Sequence, residues 1–328
     1  ESAEAPAESG KTYTVGVCQL VQHEALDAAT QGFVDALKEE LGDAVTVDVQ
    51  NASGDSVNCG TIVNGFVSKG VDLIMANATP ALTAAVSATA DIPILGTSIT
   101  AYGVALDIDD FNGTVGGNVS GTSDLADLQA QAQMILDWFP ETKTVGLLFC
   151  SAEPNSRYQI DEVRKALEAQ GVTCEEFAFT DSNDVSSVTQ KAADFSDVVY
   201  IPTDNTAASN TEAIANVLIP AGVPAICGEE GICKGCGVAT LSINYYDLGV
   251  TTGKMAAKIL TGEANISEMP IEFTEATPKY NPTMCETLGI EPLGKPFPDH
   301  REELVPLVLA QDQLGFDLRI GSRVQEAQ

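Results

Sequence analysis

The chain has 328 residues, 44% of them hydrophobic, enough to bury two domain-sized cores. Its 47 acidic against 16 basic residues leave a formal net charge of −31. That charge excludes a nucleic-acid partner, which needs a basic footprint, and adsorption to anionic lipid; no apolar run reaches the ~18–20 residues of a membrane span.

The first residues, Glu1-Ser-Ala-Glu-Ala-Pro-Ala-Glu-Ser-Gly10, are acidic and of low complexity, so 1–12 is expected to be a disordered tether. It reads as the start of a mature exported chain whose signal segment has been removed, with the frayed end of a trimmed cytosolic chain as the alternative. From Tyr13 a strand–helix rhythm begins. Strand Tyr13–Cys18 precedes a helix over Glu24–Leu41, whose apolar stripe holds Leu26, Ala29, Phe33 and Leu37. Strand Val45–Val49, helix Ser56–Ser68 and strand Val71–Ala76 follow. Thr79-Pro80 then opens a helix with proline at its first position, and a short strand spans Pro93–Leu95.

Residues 97–122, rich in glycine, break the rhythm and read as a crossover into a second lobe. There a helix is expected over Ser123–Trp138, then strand Thr144–Phe149, helix Asn155–Ala169, strand Val172–Phe177 and helix Val185–Asp194. Strand Val198–Ile201, a helix over Ala207–Ile219 and strands Ala225–Cys227 and Val238–Leu241 complete the lobe. A helix over Tyr246–Leu260, ended by Gly262, strand Ile271–Phe273 and a short helix near Pro282–Leu288 close the pattern. Strands alternating with helices in both halves predict an α/β chain of two Rossmann-like lobes with mostly parallel sheets and a multi-crossing hinge. The expected division is 13–121 with 243–296 as lobe 1 and 122–242 as lobe 2, with 297–328 a peripheral or poorly ordered tail.

Several strands end in small polar residues just before a helix: Leu73–Pro80 (LIMANATP), Val145–Ser156 (VGLLFCSAEPNS) and Val199–Thr206 (VYIPTDNT). In parallel sheets ligands bind beyond the carboxyl ends of strands, where helix N-termini and hydroxyls supply donors. The pattern points to a cleft that closes on a small polar molecule. Asp204 and Asn205 would also serve as helix caps, and Glu229 as part of a solvated turn. Catalytic alternatives have little support. The chain has two histidines, no phosphate loop and no nucleophile at a recognisable spacing from His23, which reads as an N-terminal-turn or exposed residue. Cys227, Cys233 and Cys236 share one loop, where a local disulfide is the simplest reading beside free thiols or a partial zinc site.

The stretch Tyr13–Leu293 resembles the substrate-binding proteins of bacterial ABC importers, in the group proposed to take up aromatic amino acids such as tryptophan or tyrosine. The likeness is carried by Gln22–Phe33 (QHEALDAATQGF), Asp72–Pro80 (DLIMANATP), Gly117–Asp124 (GNVSGTSD), Val145–Ser156, Pro202–Asn205 (PTDN), Gly228–Gly231 (GEEG) and Tyr245–Gly249 (YYDLG). The resemblance implies a type I periplasmic-binding-protein-like fold and a monomeric, extracytoplasmic receptor, periplasmic or a cell-surface lipoprotein. Such a receptor would deliver a small amino-acid-like ligand, aromatic in this group, to an ABC permease with its ATPase, without cofactor or metal. It implies ligand contacts at Leu20, Thr79, Thr97, Ser98, Ser120, Gly121, Asn155, Ser156, Asp204, Asn205 and Glu229. Asp204 would take a ligand ammonium, with Leu20, Tyr102 and Tyr158 as an apolar wall. The rival reading is an enzyme on a similar two-lobe scaffold acting on a small polar metabolite.

Overall fold

A computed structural model describes residues 11–294, 296 and 297. The expected tether, apart from its last two residues, and the tail beyond Phe297 lie outside the described residues. Two six-stranded sheets organise the chain from Lys11 to Gly294. The first runs β11 (Glu272–Phe273), β5 (Val119–Ser123), β4 (Ile94–Ile99), β3 (Leu73–Asn77), β1 (Tyr13–Gln19), β2 (Val45–Asn51), parallel throughout. The second runs β12 (Thr277–Tyr280), β10 (Ala239–Ser242), β9 (Ala225–Cys227), β8 (Val198–Ile201), β6 (Thr144–Cys150), β7 (Thr173–Phe179), parallel except for the β10–β12 pair.

Successive side chains of a strand face opposite ways, so a central strand covered on both faces must be apolar throughout. β3 shows this directly. Leu73 and Met75 pack with Phe33, Leu37 and Met255 on one face, and Ile74 and Ala76 with Phe66 and Leu82 on the other. In the second lobe Leu147, Phe149 and Tyr200 pack against Ile160, Val163 and Leu167 of α6 (Pro154–Glu168). The returning helix α11 (Tyr245–Thr261) lies against α1 (Glu24–Leu41) of the first lobe at very short range. A Cβ on Gly249 would stand 2.0 Å from the Ala29 carbonyl oxygen, so only glycine permits this approach.

The chain passes between the sheets three times, at 124–127, 243–244 and 274–276. Three of the elements that were not anticipated bear on the two sheets and the cysteine segment. β5 lay hidden in the glycine-rich crossover, where Gly121 sits at φ 145 with the Gly96 carbonyl 2.1 Å from its missing Cβ. α10 (Glu230–Cys236) occupies the expected cysteine loop. β12 pairs antiparallel to β10, and Met284 and Cys285 of α12 (Pro282–Leu288) join the second core. The segment 277–288 therefore packs with the second sheet, whereas the expectation placed all of 243–296 in the first lobe. The helix expected over Ser123–Trp138 starts only at α5 (Leu128–Trp138), because 124–127 form the first crossing. The helix expected over Ala207–Ile219 is split into α8 (Asn205–Ala208) and α9 (Thr211–Ala221).

Candidate functional site

Between the carboxyl ends of the two sheets lies a small, nearly closed cavity with about 10 Å3 of room for a water-sized guest. The first lobe contributes His23, Ala25, Leu26, Ser98 and Thr100; the second contributes Asn155, Thr203, Asp204, Asn205, Ala208 and Glu229. Asp124 on the first crossing and Tyr245 at the start of α11, just after the second, complete the lining. Ser98 is held at φ 55, a left-handed conformation that costs a non-glycine residue energy and is concentrated at functional sites.

The buried polar atoms here fall into two groups. Asp204, Glu153 and Glu229 are satisfied by the protein. Asp204, the N-cap of α8, accepts from Cys150 N at 2.6 Å, Ser156 Oγ at 2.7 Å and Ala207 N at 2.8 Å. Burial pushes its carboxyl up to about 7, against these donors and with the Glu153 charge adding to the rise. Glu153 accepts from Asn205 N, Asn205 Nδ2, Thr206 N and Thr206 Oγ1 between 2.8 and 3.0 Å. Glu229 caps α10 by accepting from Gly231 N and Ile232 N, and burial raises it to about 7.

The second group has no such partners. Eight buried side-chain polar atoms among the described residues lack a hydrogen-bond partner, and four belong to residues that line this cavity: His23 Nδ1, Ser98 Oγ, Asp124 Oδ1 and Asn155 Oδ1. Unpaired buried polar groups cost about 1–3 kcal/mol each, so their concentration marks a place built for a polar guest. Asp124 is buried, and Tyr245 donates its hydroxyl to Oδ2 at 2.8 Å. Burial raises the Asp124 carboxyl above its usual range, while the Tyr245 and Thr100 hydroxyls pull the other way. His23 Nε2 lies 3.2 Å from Asn205 Oδ1. Asn205 Nδ2 is already donating to Glu153, so Oδ1 must accept and the imidazole must donate from Nε2. Burial lowers the His23 pKa, leaving a neutral ring with a lone pair on Nδ1.

Three contacts pull the lobes together: His23 to Asn205, Thr100 Oγ1 to Thr203 Oγ1 at 3.3 Å, and Lys234 Nζ to Glu24 Oε1 at 2.5 Å. The structure thus divides the expected contact residues. Ser98, Asn155, Asp204, Asn205 and Glu229 line the cavity. Ser156 stands behind it, holding Asp204. Leu20 lines the wider mouth of the cleft. Thr79 is buried at the start of α3 (Thr79–Ala88) and does not line the cavity.

Thr97, Ser120 and Gly121 also stand apart from it. Thr97 bonds the hydroxyls of Thr122 and Thr252, Ser120 donates to the Met269 carbonyl, and Gly121 makes room for Gly96 and Tyr102. Tyr102 and Tyr158 line a separate groove beside the hinge. The expected disulfide is not formed. Cys227, Cys233 and Cys236 are buried free thiols, packed where β9 meets α10, with Cys236 Sγ bonded to the Ile232 carbonyl at 3.3 Å. Sequence reasoning passed over Asp124, Tyr245 and His23, which line the cavity, although all three fall inside the quoted segments.

Residues 14–292 match the family model described as ABC transporter substrate binding protein. The chain belongs to that family. A tyrosine-binding protein from Clostridioides difficile (strain R20291) is 32% identical over 276 residues, covering 82% of this chain and 79% of that protein. The crystal structure of an ABC domain in complex with L-Trp from Streptococcus pneumoniae is 32% identical, with a TM-score of 0.81, covering 86% of this chain and 96% of that one. A ligand-free, open substrate-binding protein with adhesive properties from Clostridium difficile is 34% identical, covering 86% of this chain and 97% of that one, but has a TM-score of 0.67. The substrate-binding protein described here is therefore closer in shape to the L-Trp complex than to the open form, in keeping with its three interlobe contacts. Its family makes it a solute receptor of an ABC transporter, and the unpartnered atoms lie where the two lobes meet. Among the described residues no helix is long and apolar enough to cross a membrane.

Proposed function

We propose that this receptor captures an aromatic amino acid in the interlobe cavity, without turning it over, and presents the closed form to an ABC permease and its ATPase outside the cytoplasm. The observation that carries this reading is the set of four sealed, unpartnered polar atoms drawn from both lobes and the first crossing. A guest that satisfies them stabilises only the closed protein, which is how ligand binding shifts such an equilibrium.

The tyrosine-binding relative and the L-Trp complex support an aromatic side chain. Ala25, Leu26, Ala208 and the ring of Tyr245 supply apolar wall beside the polar groups. The closed cavity leaves only about 10 Å3 for a water-sized guest, far below the ~300–1,000 Å3 of ligand pockets, so the lobes must part to admit a ring. We assign the ligand contacts to His23, Ser98, Asp124 and Asn155, with Asp204, Asn205 and Glu229 shaping the wall. The receptor acts as a monomer without cofactor or metal.

Titration calorimetry with L-tyrosine, L-tryptophan and L-phenylalanine, and with galactose and myo-inositol as controls, tests the reading. Saturable one-to-one binding of at least one aromatic amino acid, recovered chemically unchanged, is the expected result. Binding of a polyol with none of the three amino acids, or product formation, overturns it.

A further inference from the structure

We propose that the cavity selects a primary ammonium group and that Asp124, on the first crossing between the lobes, is its anionic partner, with Asn155 and His23 completing the acceptor set. This rests on the amino-acid reading above and names the residues that read one end of the ligand.

The argument is a hydrogen-bond inventory. Asn155 Nδ2 donates to the Thr203 carbonyl at 3.0 Å and faces Glu153 Oε2 at 3.3 Å, which fixes the amide orientation and leaves Oδ1 as an acceptor. His23, donating from Nε2 to Asn205, presents Nδ1 as a second acceptor. Asp124 Oδ1 is the third, and it carries charge. Only Ser98 Oγ, the fourth atom, is able to donate. An anionic group placed among three lone pairs would be repelled. An ammonium has three N–H donors and no lone pair, so it matches three acceptors one for one.

The other two carboxylates of the cavity are already committed. Both oxygens of Asp204 accept from protein donors, and both oxygens of Glu229 accept from the first amides of α10. Among these three carboxylates only Asp124 has an oxygen with no hydrogen-bond partner. Its position adds a consequence. His23 belongs to the first lobe, Asn155 to the second, and Asp124 to a crossing, so an ammonium is fully bonded only when the lobes stand closed. Binding at this end of the ligand therefore drives closure directly.

Calorimetry on the wild-type protein compares each aromatic amino acid with its desamino acid: 3-(4-hydroxyphenyl)propionate, indole-3-propionate and 3-phenylpropionate. Loss of roughly 30-fold or more in affinity on removing the amino group is expected, as for a desolvated charge pair. Asp124→Asn should weaken the amino acids by a similar factor and shrink the gap between amino and desamino ligands. Equal binding of amino and desamino ligands by the wild type overturns the proposal even if Asp124→Asn fails to fold. Tight amino-acid binding with an unchanged gap in a folded Asp124→Asn variant also overturns it, while the amino-acid reading stands. If no amino acid and none of the amines tyramine, tryptamine or phenethylamine binds, both readings fall; if only the amines bind, the ammonium site stands and the amino-acid reading falls.

Discussion

The Tyr245 hydroxyl donates to Asp124 Oδ2 at 2.8 Å across 121 residues of sequence, tying the first crossing between the lobes to the helix that follows the second. Both residues are buried and both face the interlobe cavity. The bond holds one oxygen of Asp124 in place and turns the other toward the cavity.

Tyr245→Phe keeps the ring and removes the donor. Asp124 Oδ2 is then left without its 2.8 Å partner in a buried site, which should cost about 1–3 kcal/mol. Urea unfolding of the unliganded protein reads this as a lower midpoint at constant slope. An unchanged midpoint would mean that the hydroxyl is replaced by water without loss, and that the pair does not fix the crossing.

Asp204→Asn should act mainly on folding. The carboxylate gathers Cys150 N, Ser156 Oγ and Ala207 N, joining β6, α6 and α8. An amide turns its NH2 toward at least one of these donors, leaving a buried donor unpaired and opposed. A loss of about 2–4 kcal/mol is expected, within the range for breaking a buried network. Full stability combined with lost amino-acid affinity would restore Asp204 as the ammonium partner.

The strands were legible because parallel strands covered on both faces are continuous apolar runs, and β3 and β6 stand out on that ground. β5 was not, because Val119–Ser123 holds glycine and hydroxyl residues that fit a narrow space under Tyr102 rather than an apolar pattern. The site was legible as a set of strand-end loops. Which side chain in each loop faces the ligand was not, because Asp204 and Asp124 differ only in who else bonds them. That depends on Cys150, Ser156 and Tyr245, which are distant in sequence. Thr97 and Ser120 were expected in the site for their place at strand ends, but their hydroxyls turn into the first lobe and bond Thr252 and Met269.

Glu24→Gln tests the latch at the rim. Lys234 Nζ meets Glu24 Oε1 at 2.5 Å across the lobes, with the Glu24 side chain about half exposed. Such a pair is worth only about 0–1 kcal/mol and weakens with salt. The variant should bind ligand up to a few-fold more weakly at low ionic strength and match the wild type at 1 M salt. A difference that persists at high salt would mean the contact is not electrostatic.

All eight cysteines are free, and only Cys174 is not buried. Burial pushes the Cys227 thiol well above its ordinary range, and the hydrogen bond to Cys227, with burial behind it, does the same for Cys236, which keeps both protonated and slow to react. A thiol reagent should therefore label Cys174 first in the folded protein and reach eight groups after denaturation without reductant. A denatured count of six would show that a disulfide joins two of the cysteines after all.

Stability and affinity should respond to pH with opposite signs. Asp204 and Glu229 are each raised to about 7 in the folded, unliganded protein, from ordinary values of 3.8 and 4.5. Between about pH 4 and 7 the folded state thus binds more protons than the unfolded chain, so stability falls as pH rises through that window, by at most about 1.4 kcal/mol per unit for each group. His23, lowered by burial, works in the other direction below its ordinary 6.5, but it is one group against three, since burial raises the Asp124 carboxyl as well. Urea midpoints at matched ionic strength should therefore decline from pH 5 to pH 7 and then level off. Ligand affinity runs the other way. An ammonium pairs with the Asp124 anion, whose pKa burial has raised, so binding expels a proton and strengthens as pH rises until that carboxyl is ionised. Calorimetry in buffers of different ionisation enthalpy reads the released proton directly. Proton uptake on binding, or affinity that falls between pH 5 and 7, would remove Asp124 from the ammonium site.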